Sequence, residues 1–223
     1  MAVDKISEIF FLDLAIHEPE TEAYEEVTRA SSLPVSYHSP SREGMESLYK
    51  REEEVSIGGF LVLGSVASIY DGCPWQSAFH PWLESRVKKG IPTFGICYGH
   101  QLIASFFGAK VGSVAGGQKF TGLRKVKPIK ETALGIKEQS LSILACHNEE
   151  VKELPQGMAV FAKSPEVEFE GFYHKDLPIF TLQTHPEARS DFYKKRGVLP
   201  CEENFADGRK VIRSFLDFTQ NFL

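Results

Sequence analysis

One cysteine of the sequence stands in a pattern that can activate a thiol. Cys97 is flanked by Gly95 and Gly99 in the order G-x-C-x-G, after an apolar run and before a helical stretch. This order matches the nucleophile elbow, with sulfur in place of the serine oxygen. The glycines let the chain turn tightly. N–H groups at the start of the following helix, chiefly that of Tyr98, favour a thiolate and can stabilise an oxyanion. Alone, the pattern fits a plain strand-to-helix turn equally well.

A catalytic cysteine needs an imidazole that accepts its proton and a carboxylate or amide that orients the imidazole. His185 suits this role because it follows the apolar run 179–183, Pro186 ends any strand there, and Glu187 lies two residues further on. The other assignments are that His17 and His38 are solvated loop residues, His80 is a structural imidazole, His100 points away from the turn and His174 lies in a strand-end loop.

Strands and helices alternate in the predicted secondary structure. Apolar runs of strand length occur at residues 9–12, 35–37, 60–63, 93–97, 141–145, 159–162 and 179–183. Helical spacing occurs at residues 43–54, 77–89, 101–107 and 205–222. Continuously apolar strands between helices predict an α/β fold of three layers, with a central, mostly parallel sheet flanked by helices. Ligands of such sheets bind beyond the carboxyl ends of the strands, where Leu63, Ile96 and Gln183 lead into loops.

Composition excludes several other classes of protein. The 223 residues carry 25 Lys and Arg against 30 Asp and Glu, a formal net charge of −5, which argues against a nucleic-acid partner. No apolar run is long enough for a membrane span, and the first residues are not those of a secretory signal. The 4 cysteines form no C-x-x-C pair, so we expect no metal site and reduced thiols in a cytoplasmic protein. We expect residues 1–223 to form a single domain.

Two motifs around the candidate residues resemble the signatures of a known family. Residues 95–101 (Gly-Ile-Cys-Tyr-Gly-His-Gln) and residues 183–187 (Gln-Thr-His-Pro-Glu) look like the two signatures of class-I glutamine amidotransferases. Residues 147–157 are similar to a loop in the amidotransferase domain of GMP synthase. The resemblance implies a stand-alone protein with a flavodoxin-like fold and no cofactor.

The resemblance also implies roles for individual residues. Cys97 is the expected nucleophile, His185 the expected base and Glu187 the group that orients the base. The backbone N–H groups of Tyr98 and Ser65 are the expected oxyanion hole. The implied substrate-binding positions are Gly64, Gln101, Cys146 and His147.

Several stretches of the sequence depart from the family pattern, among them residues 116–122, which stand where the family often has an Arg-Glu-Tyr-like run, and two near the expected catalytic groups. Loop 63–68 lacks the usual Gly-Gly-Pro, which bears on the conformation of the expected oxyanion hole. Thr184 replaces the aromatic residue that normally precedes the histidine, which bears on packing near the base. None of these departures removes an expected catalytic group.

Three functions are compatible with these residues. The first is hydrolysis of the side-chain amide of glutamine, or of a related γ-glutamyl amide, through a cysteine thioester, with ammonia supplied to a separately encoded synthase. The second is a stand-alone γ-glutamyl hydrolase without ammonia transfer, and the third is a non-catalytic binding module. We expect no synthase domain in the chain, which contains no G-x-x-x-x-G-K-[ST]. A dienelactone-type thiol hydrolase is disfavoured because Glu187 follows His185 in the chain.

Overall fold

The computed structural model describes residues 5–136 and 139–223, and a nine-stranded sheet runs through it. The strands are β1 (Ser7–Leu12), β2 (Val35–His38), β3 (Ser56–Val62), β4 (Thr93–Ile96), β5 (Val111–Ser113), β6 (Phe120–Pro128), β7 (Leu141–His147), β8 (Glu149–Val151), β9 (Met158–Lys163), β10 (Gly171–His174) and β11 (Ile179–Leu182). The helices are α1 (Thr21–Ala30), α2 (Pro40–Glu43), α3 (Glu46–Glu54), α4 (Pro74–Val87), α5 (Tyr98–Phe106), α6 (Ser190–Lys195) and α7 (Glu202–Phe222).

The strand order divides the sheet into a parallel and an antiparallel half. The order is β2-β1-β3-β4-β11-β10-β9-β6-β7, with β5 and β8 forming a separate antiparallel pair. Neighbours from β2 to β11 are parallel, whereas β10, β9, β6 and β7 continue the sheet in antiparallel pairs. The carboxyl ends of β1, β3, β4 and β11 therefore meet at one edge, which is where ligands bind in such sheets.

Helices cover both faces of the sheet. Side chains of α3, α4 and α5 pack with Phe10 of β1 and Phe60 of β3 in one buried cluster. Side chains of α1 and α7 pack with Phe11 of β1 and Leu61 of β3 in a second cluster. Because successive residues of β1 and β3 point to opposite faces, continuously apolar strands supply both clusters. The expected three-layer α/β fold with a largely parallel sheet is therefore confirmed, while the expected single domain stays a prediction.

All of the predicted strands are confirmed within a few residues of their expected ends. The predicted helix 43–54 is interrupted, since Gly44 has a positive φ of 76° and separates α2 from α3. Helices α1 and α6 and strands β5, β6, β8 and β10 were not predicted. No helix in the described ranges has the length and apolar character that crossing a membrane requires.

One predicted environment is wrong. His38 was expected to be solvated, but it is only 3% exposed. It ends β2, its ring packs 4.6 Å from that of Phe10, and its nitrogens contact the hydroxyls of Ser36 and Ser47. Burial lowers the pKa of His38 to about 4. A neighbouring proline or serine in the sequence is thus a poor guide to exposure.

Candidate active site

Cys97 sits on a sharp turn between β4 and α5. Its φ of 51° and ψ of −100° make it the one non-glycine residue with positive φ in the described ranges. This conformation is strained for an L residue and persists only where the surroundings enforce it. A Cβ on Gly95 would lie 2.6 Å from Cδ1 of Ile103, and a Cβ on Gly99 would overlap the carbonyl oxygen of Val62. The glycines are therefore needed because α5 presses against β3 and β4.

His185 lies on the turn that follows β11. Its backbone N–H donates to the carbonyl of Leu144 at 2.8 Å, which ties the turn to β7. Its Nδ1 is 2.8 Å from Oε1 of Glu187, and both side chains are buried. Helix α7 supports the turn from behind, since a Cβ on Gly208 would overlap the carbonyl oxygen of Pro186. A carboxylate only accepts hydrogen bonds, so Nδ1 carries a hydrogen, and Nε2 is the ring nitrogen that does not contact Glu187.

Gly64, after β3, lies beside both Cys97 and His185. A Cβ on Gly64 would lie 2.8 Å from Cε1 of His185 and 3.5 Å from Cβ of Cys97. Nε2 of His185 has no hydrogen-bond partner that meets standard geometry within residues 5–136 and 139–223. Burial works to lower the pKa of His185, but the Glu187 carboxylate and the Cys97 sulfur outweigh it and hold this pKa well above its ordinary value. Cys97 and His185 are thus neighbours, and the Cys97 sulfur and the Glu187 carboxylate favour the imidazolium form of His185.

These groups open into a cavity of about 500 Å³ at the carboxyl edge of the parallel strands. The predicted site residues that line it are Gly64, Ser65, Cys97, Gln101, Cys146, His147, His185 and Glu187. Its volume is typical of sites for small molecules. Within the described ranges, no group of three or more His, Cys, Asp or Glu side chains is arranged to hold a metal ion.

Tyr98 directly follows Cys97 in the chain, and Ser65 lines the same cavity from a different element. Tyr98 is the first residue of α5, so its N–H has no acceptor within the helix. Its side chain points away from the cavity, and its hydroxyl bonds Nε2 of Gln76 at 2.9 Å and of His80 at 2.7 Å. Ser65 lies in the loop after β3, where its hydroxyl accepts from the N–H of Ala67. The hydroxyl of Ser65 thus stabilises the loop that stands in place of Gly-Gly-Pro.

Gln101 and His147 meet at one wall of the cavity. Nε2 of Gln101 donates to the carbonyl of Glu149 at 2.7 Å, and Nδ1 of His147 contacts the same carbonyl at 2.9 Å. Nε2 of His147 is 2.9 Å from Nη1 of Arg124, a buried residue without any motif in the sequence. Burial and the Arg124 charge lower the pKa of His147 to about 3. This imidazole is therefore neutral and is a poor candidate for a base.

Cys146 is the second thiol that lines the cavity. Its backbone carbonyl is 3.9 Å from Sγ of Cys97, and its own sulfur is 3.6 Å from the hydroxyl of Thr121. Burial works to raise the pKa of this thiol, but the contact with Thr121 and the charge of His185 outweigh it and lower the pKa. The backbone carbonyl of Cys146 therefore lies on the Cys97 side of the cavity as an acceptor. Its own thiol is polarised by its surroundings.

Two residues that were not predicted also border the site. The ring of Phe192 in α6 packs 4.6 Å from that of His185, in a region where Thr184 supplies no ring. Glu20 lies in the loop after β1, and burial together with the Glu187 carboxylate raises its pKa to about 7. No motif marks either residue. The carboxyl end of β1 could have pointed to Glu20, because β1 ends at the same edge as the other parallel strands.

Relatives of the chain were identified among curated proteins. A glutamine-hydrolysing GMP synthase subunit of Pyrococcus abyssi is 39% identical over 107 residues, which cover 47% of this chain and 55% of the relative. The GMP synthase of Wolbachia sp. subsp. Brugia malayi is 29% identical over 185 residues, which cover 80% of this chain and 31% of the relative. The chain thus spans about half the length of the archaeal protein that it matches.

Solved structures share the fold. A glutamine amidotransferase from Thermotoga maritima has a TM-score of 0.73 at 18% identity and covers 96% of this chain, with 97% of that chain covered. A glutamine amidotransferase from Methylobacillus flagellatus has a TM-score of 0.71 at 14% identity, with 99% of this chain and 96% of that chain covered. The expected flavodoxin-like architecture is confirmed by this likeness.

The family model of class-I glutamine amidotransferases matches residues 29–198. This match includes both cavity-lining turns, the one with Cys97 and the one with His185, as well as most of the sheet. Since it covers well over half of the sequence, the chain belongs to the class-I glutamine amidotransferase family.

Proposed function

We propose that this chain, as a single domain, hydrolyses the side-chain amide of glutamine or of a related γ-glutamyl compound through a thioester on Cys97. One observation carries the proposal: a thiol on a strained turn shares a cavity with a buried His–Glu pair, and a Cβ on Gly64 would reach both Cys97 and His185. Membership of the amidotransferase family supports the same chemistry.

In the first step, Cys97 acts as the nucleophile. The raised pKa of His185 means that the imidazole takes the thiol proton and leaves a thiolate beside an imidazolium. The sulfur attacks the amide carbon, the C–N bond breaks, and the Nε2 proton of His185 leaves with the nitrogen as ammonia. Glu187 holds Nδ1–H at 2.8 Å, which keeps Nε2 directed at the reacting atoms.

In the second step, water hydrolyses the γ-glutamyl thioester. The neutral His185 takes a proton from water, the oxygen attacks the thioester carbon, and the Cys97 thiolate leaves with release of glutamate. Negative charge builds up on the carbonyl oxygen in both steps, and N–H groups next to that oxygen stabilise it. The N–H of Tyr98 at the start of α5 and that of Ser65 in the facing loop are the proposed donors.

The remaining predicted positions form the proposed binding site for the glutamyl group. Gly64 leaves room beside the nucleophile, because any larger residue would contact His185. Gln101 and His147 also line the cavity and are held together by their shared bonds to the Glu149 carbonyl. Cys146 contributes through its backbone, whose carbonyl already lies near the sulfur of Cys97.

Ammonia from this reaction would go to a separately encoded synthase. The archaeal relatives are named as subunits of GMP synthase, and such a name implies a second polypeptide. A stand-alone γ-glutamyl hydrolase is the second candidate. The cavity favours it, because about 500 Å³ is a volume that holds drug-sized ligands, whereas glutamine is a single amino acid.

The decisive experiment is steady-state release of glutamate and ammonia by the purified chain. Glutamine and a panel of γ-glutamyl peptides are tested with and without a candidate synthase. We expect hydrolysis that Cys97→Ser abolishes, with Cys73→Ser, on the N-cap of α4, as the matched control. Activity that appears only beside the synthase supports the ammonia-supplying role, and activity on peptides alone supports the hydrolase. Equal alkylation of Cys97 and Cys73 near neutral pH, with no turnover, would contradict both.

A further inference from the structure

A buried ion pair lies behind the wall of the cavity that carries Gln101 and His147. Nη1 of Arg124 in β6 is 3.2 Å from Oε2 of Glu170, and both side chains are at most 2% exposed. Ser164 donates a further hydrogen bond to Glu170 at 3.0 Å. Because burying two charges costs desolvation energy, such a pair is weak evidence for a role in stability. Neither member of the pair lines the cavity.

Arg124 and the Glu149 carbonyl together determine which nitrogen of His147 carries the hydrogen. A guanidinium only donates, so Nε2 of His147, at 2.9 Å from Nη1 of Arg124, must accept. A carbonyl only accepts, so Nδ1 of His147, at 2.9 Å from the oxygen of Glu149, must donate. The neutral Nδ1–H tautomer is the one state of the ring that satisfies both neighbours.

The hydrogen bonds continue from His147 through the Glu149 carbonyl to Gln101 in the cavity wall. The Glu149 carbonyl, held by His147, also accepts from Nε2 of Gln101 at 2.7 Å. Nε2 of Gln101 is further 3.3 Å from Oε1 of Gln183. Both partners are acceptors, so they fix the amide group of Gln101 in one orientation. Its nitrogen is engaged by the protein, and its oxygen remains as the acceptor for a donor group on a ligand.

We propose that Arg124, held in place by Glu170, is a positioning residue for the substrate-binding wall. By donating to His147 it fixes the Glu149 carbonyl and, through that carbonyl, the orientation of Gln101. The inference rests on the proposed function for what the wall binds. The donor–acceptor order itself rests on the hydrogen bonds alone.

Several charged or titratable groups face His147 from the elements packed against it. They are Arg124 on β6, His185 after β11 and His100 on α5; Glu170 before β10 contacts Arg124, and Glu149 on β8 meets His147 through its backbone carbonyl. Burial, Arg124 and His185 all lower the pKa of His147, which is about 3. Loss of the Arg124 charge removes one of these effects, so the pKa of His147 should rise.

The test is the double variant Arg124→Met/Glu170→Gln, which removes both charges together and so leaves no unpaired buried ion. The matched control is Arg51→Met/Glu8→Gln, which removes a pair whose acid is equally buried but lies at the start of β1, away from the cavity. Nitrogen chemical shifts of His147 are recorded by NMR between about pH 5 and pH 8. Glutamine binding to Cys97→Ser protein is measured by calorimetry, and KM and kcat are measured with Cys97 present.

In the parent protein and the control we expect one neutral Nδ1–H tautomer of His147 at every pH. In the test variant we expect mixed tautomers, proton uptake towards the acidic end, and Kd and KM raised about tenfold with kcat changed less than about threefold. A test variant that keeps the single tautomer and the parent Kd would overturn the inference. If the parent neither binds nor hydrolyses glutamine or any γ-glutamyl peptide of the panel, the proposed function is wrong, and the tautomer of His147 still decides whether Arg124 positions this wall.

Discussion

Gly64 offers a way to move His185 without altering any reacting group. Its φ lies outside the left-handed region, so an alanine fits the backbone there. The added Cβ would lie 2.8 Å from Cε1 of His185, whereas carbon atoms in contact prefer about 3.5–4.0 Å. The imidazole or the loop must therefore move by roughly 1 Å. Because Nδ1 of His185 is bonded to Glu187, this movement strains the pair that directs Nε2 at the Cys97 sulfur.

The expected cost of Gly64→Ala is large for turnover and modest for stability. A misplacement of about 1 Å at a reacting group costs about 10²-fold in rate. Overpacking at one buried position costs about 1–3 kcal/mol. For a chain of this size that corresponds to a fall in Tm of about 2–12 °C. We therefore expect kcat/KM to fall about 10²-fold in a protein that is still folded at the assay temperature.

The assay follows kcat/KM for amide hydrolysis together with the rate at which iodoacetamide alkylates Cys97. Both should fall in Gly64→Ala, because a displaced His185 no longer supports the thiolate. Gly112→Ala on β5 is the control, since its Cβ would meet Lys152 at 3.5 Å in ordinary contact. Parent-like kcat/KM and alkylation in Gly64→Ala would refute the close approach of His185 to Gly64. Equal losses of kcat/KM and alkylation rate in Gly112→Ala would refute it as well.

Three other substitutions test separate parts of the site. Glu187→Gln removes a charge that raises the pKa of His185, so the alkaline limb of the pH profile of kcat/KM should move to lower pH and kcat should fall at least about tenfold; an unmoved limb would contradict this. Gly99→Ala places a Cβ on the carbonyl of Val62, and calorimetry should record a loss of about 3 kcal/mol or more, or no folded protein. Burial and the Glu187 charge raise the pKa of Glu20 from 4.5 to about 7, so its contribution to stability is full below pH 4.5 and is lost as pH rises through 7. Glu20→Gln should accordingly raise Tm at pH 8 and leave it nearly unchanged at pH 4.5, and an equal shift at both pH values would argue against a raised pKa.

Short-range signals made the parallel half of the fold predictable. Continuously apolar strands require burial on both faces, and that requirement alone places helices on either side of the sheet. The G-x-C-x-G spacing predicted a turn at Cys97. Gly95 and Gly99 flank it because neither position has space for a Cβ. Strand β11 ends at Leu182, before His185 and Pro186, as expected. In each case the physical cause lies within a few residues of the signal.

Features that depend on distant partners could not be predicted. Strand β6 alternates buried and exposed residues and carries Arg124, a residue type that usually lies at the surface. Its partner Glu170 is 46 positions away, and nothing in either stretch indicates the pairing. Helix α1 buries only Ala23 and Val27, which is too short an apolar stripe to stand out in the sequence. The burial of His38 likewise results from packing against Phe10 of another strand.

Helix α7 gives the molecule a second region where catalytic defects can arise. Gly208 lines no part of the cavity, yet its Cα faces the peptide carbonyl directly after His185 with no space for a methyl group. A saturation-mutagenesis map scored for turnover should therefore contain a patch of inactivating changes centred on Gly208. Those variants would bind ligand through an intact Gln101 wall and still fail in chemistry, a phenotype that a list of cavity-lining residues would not reveal.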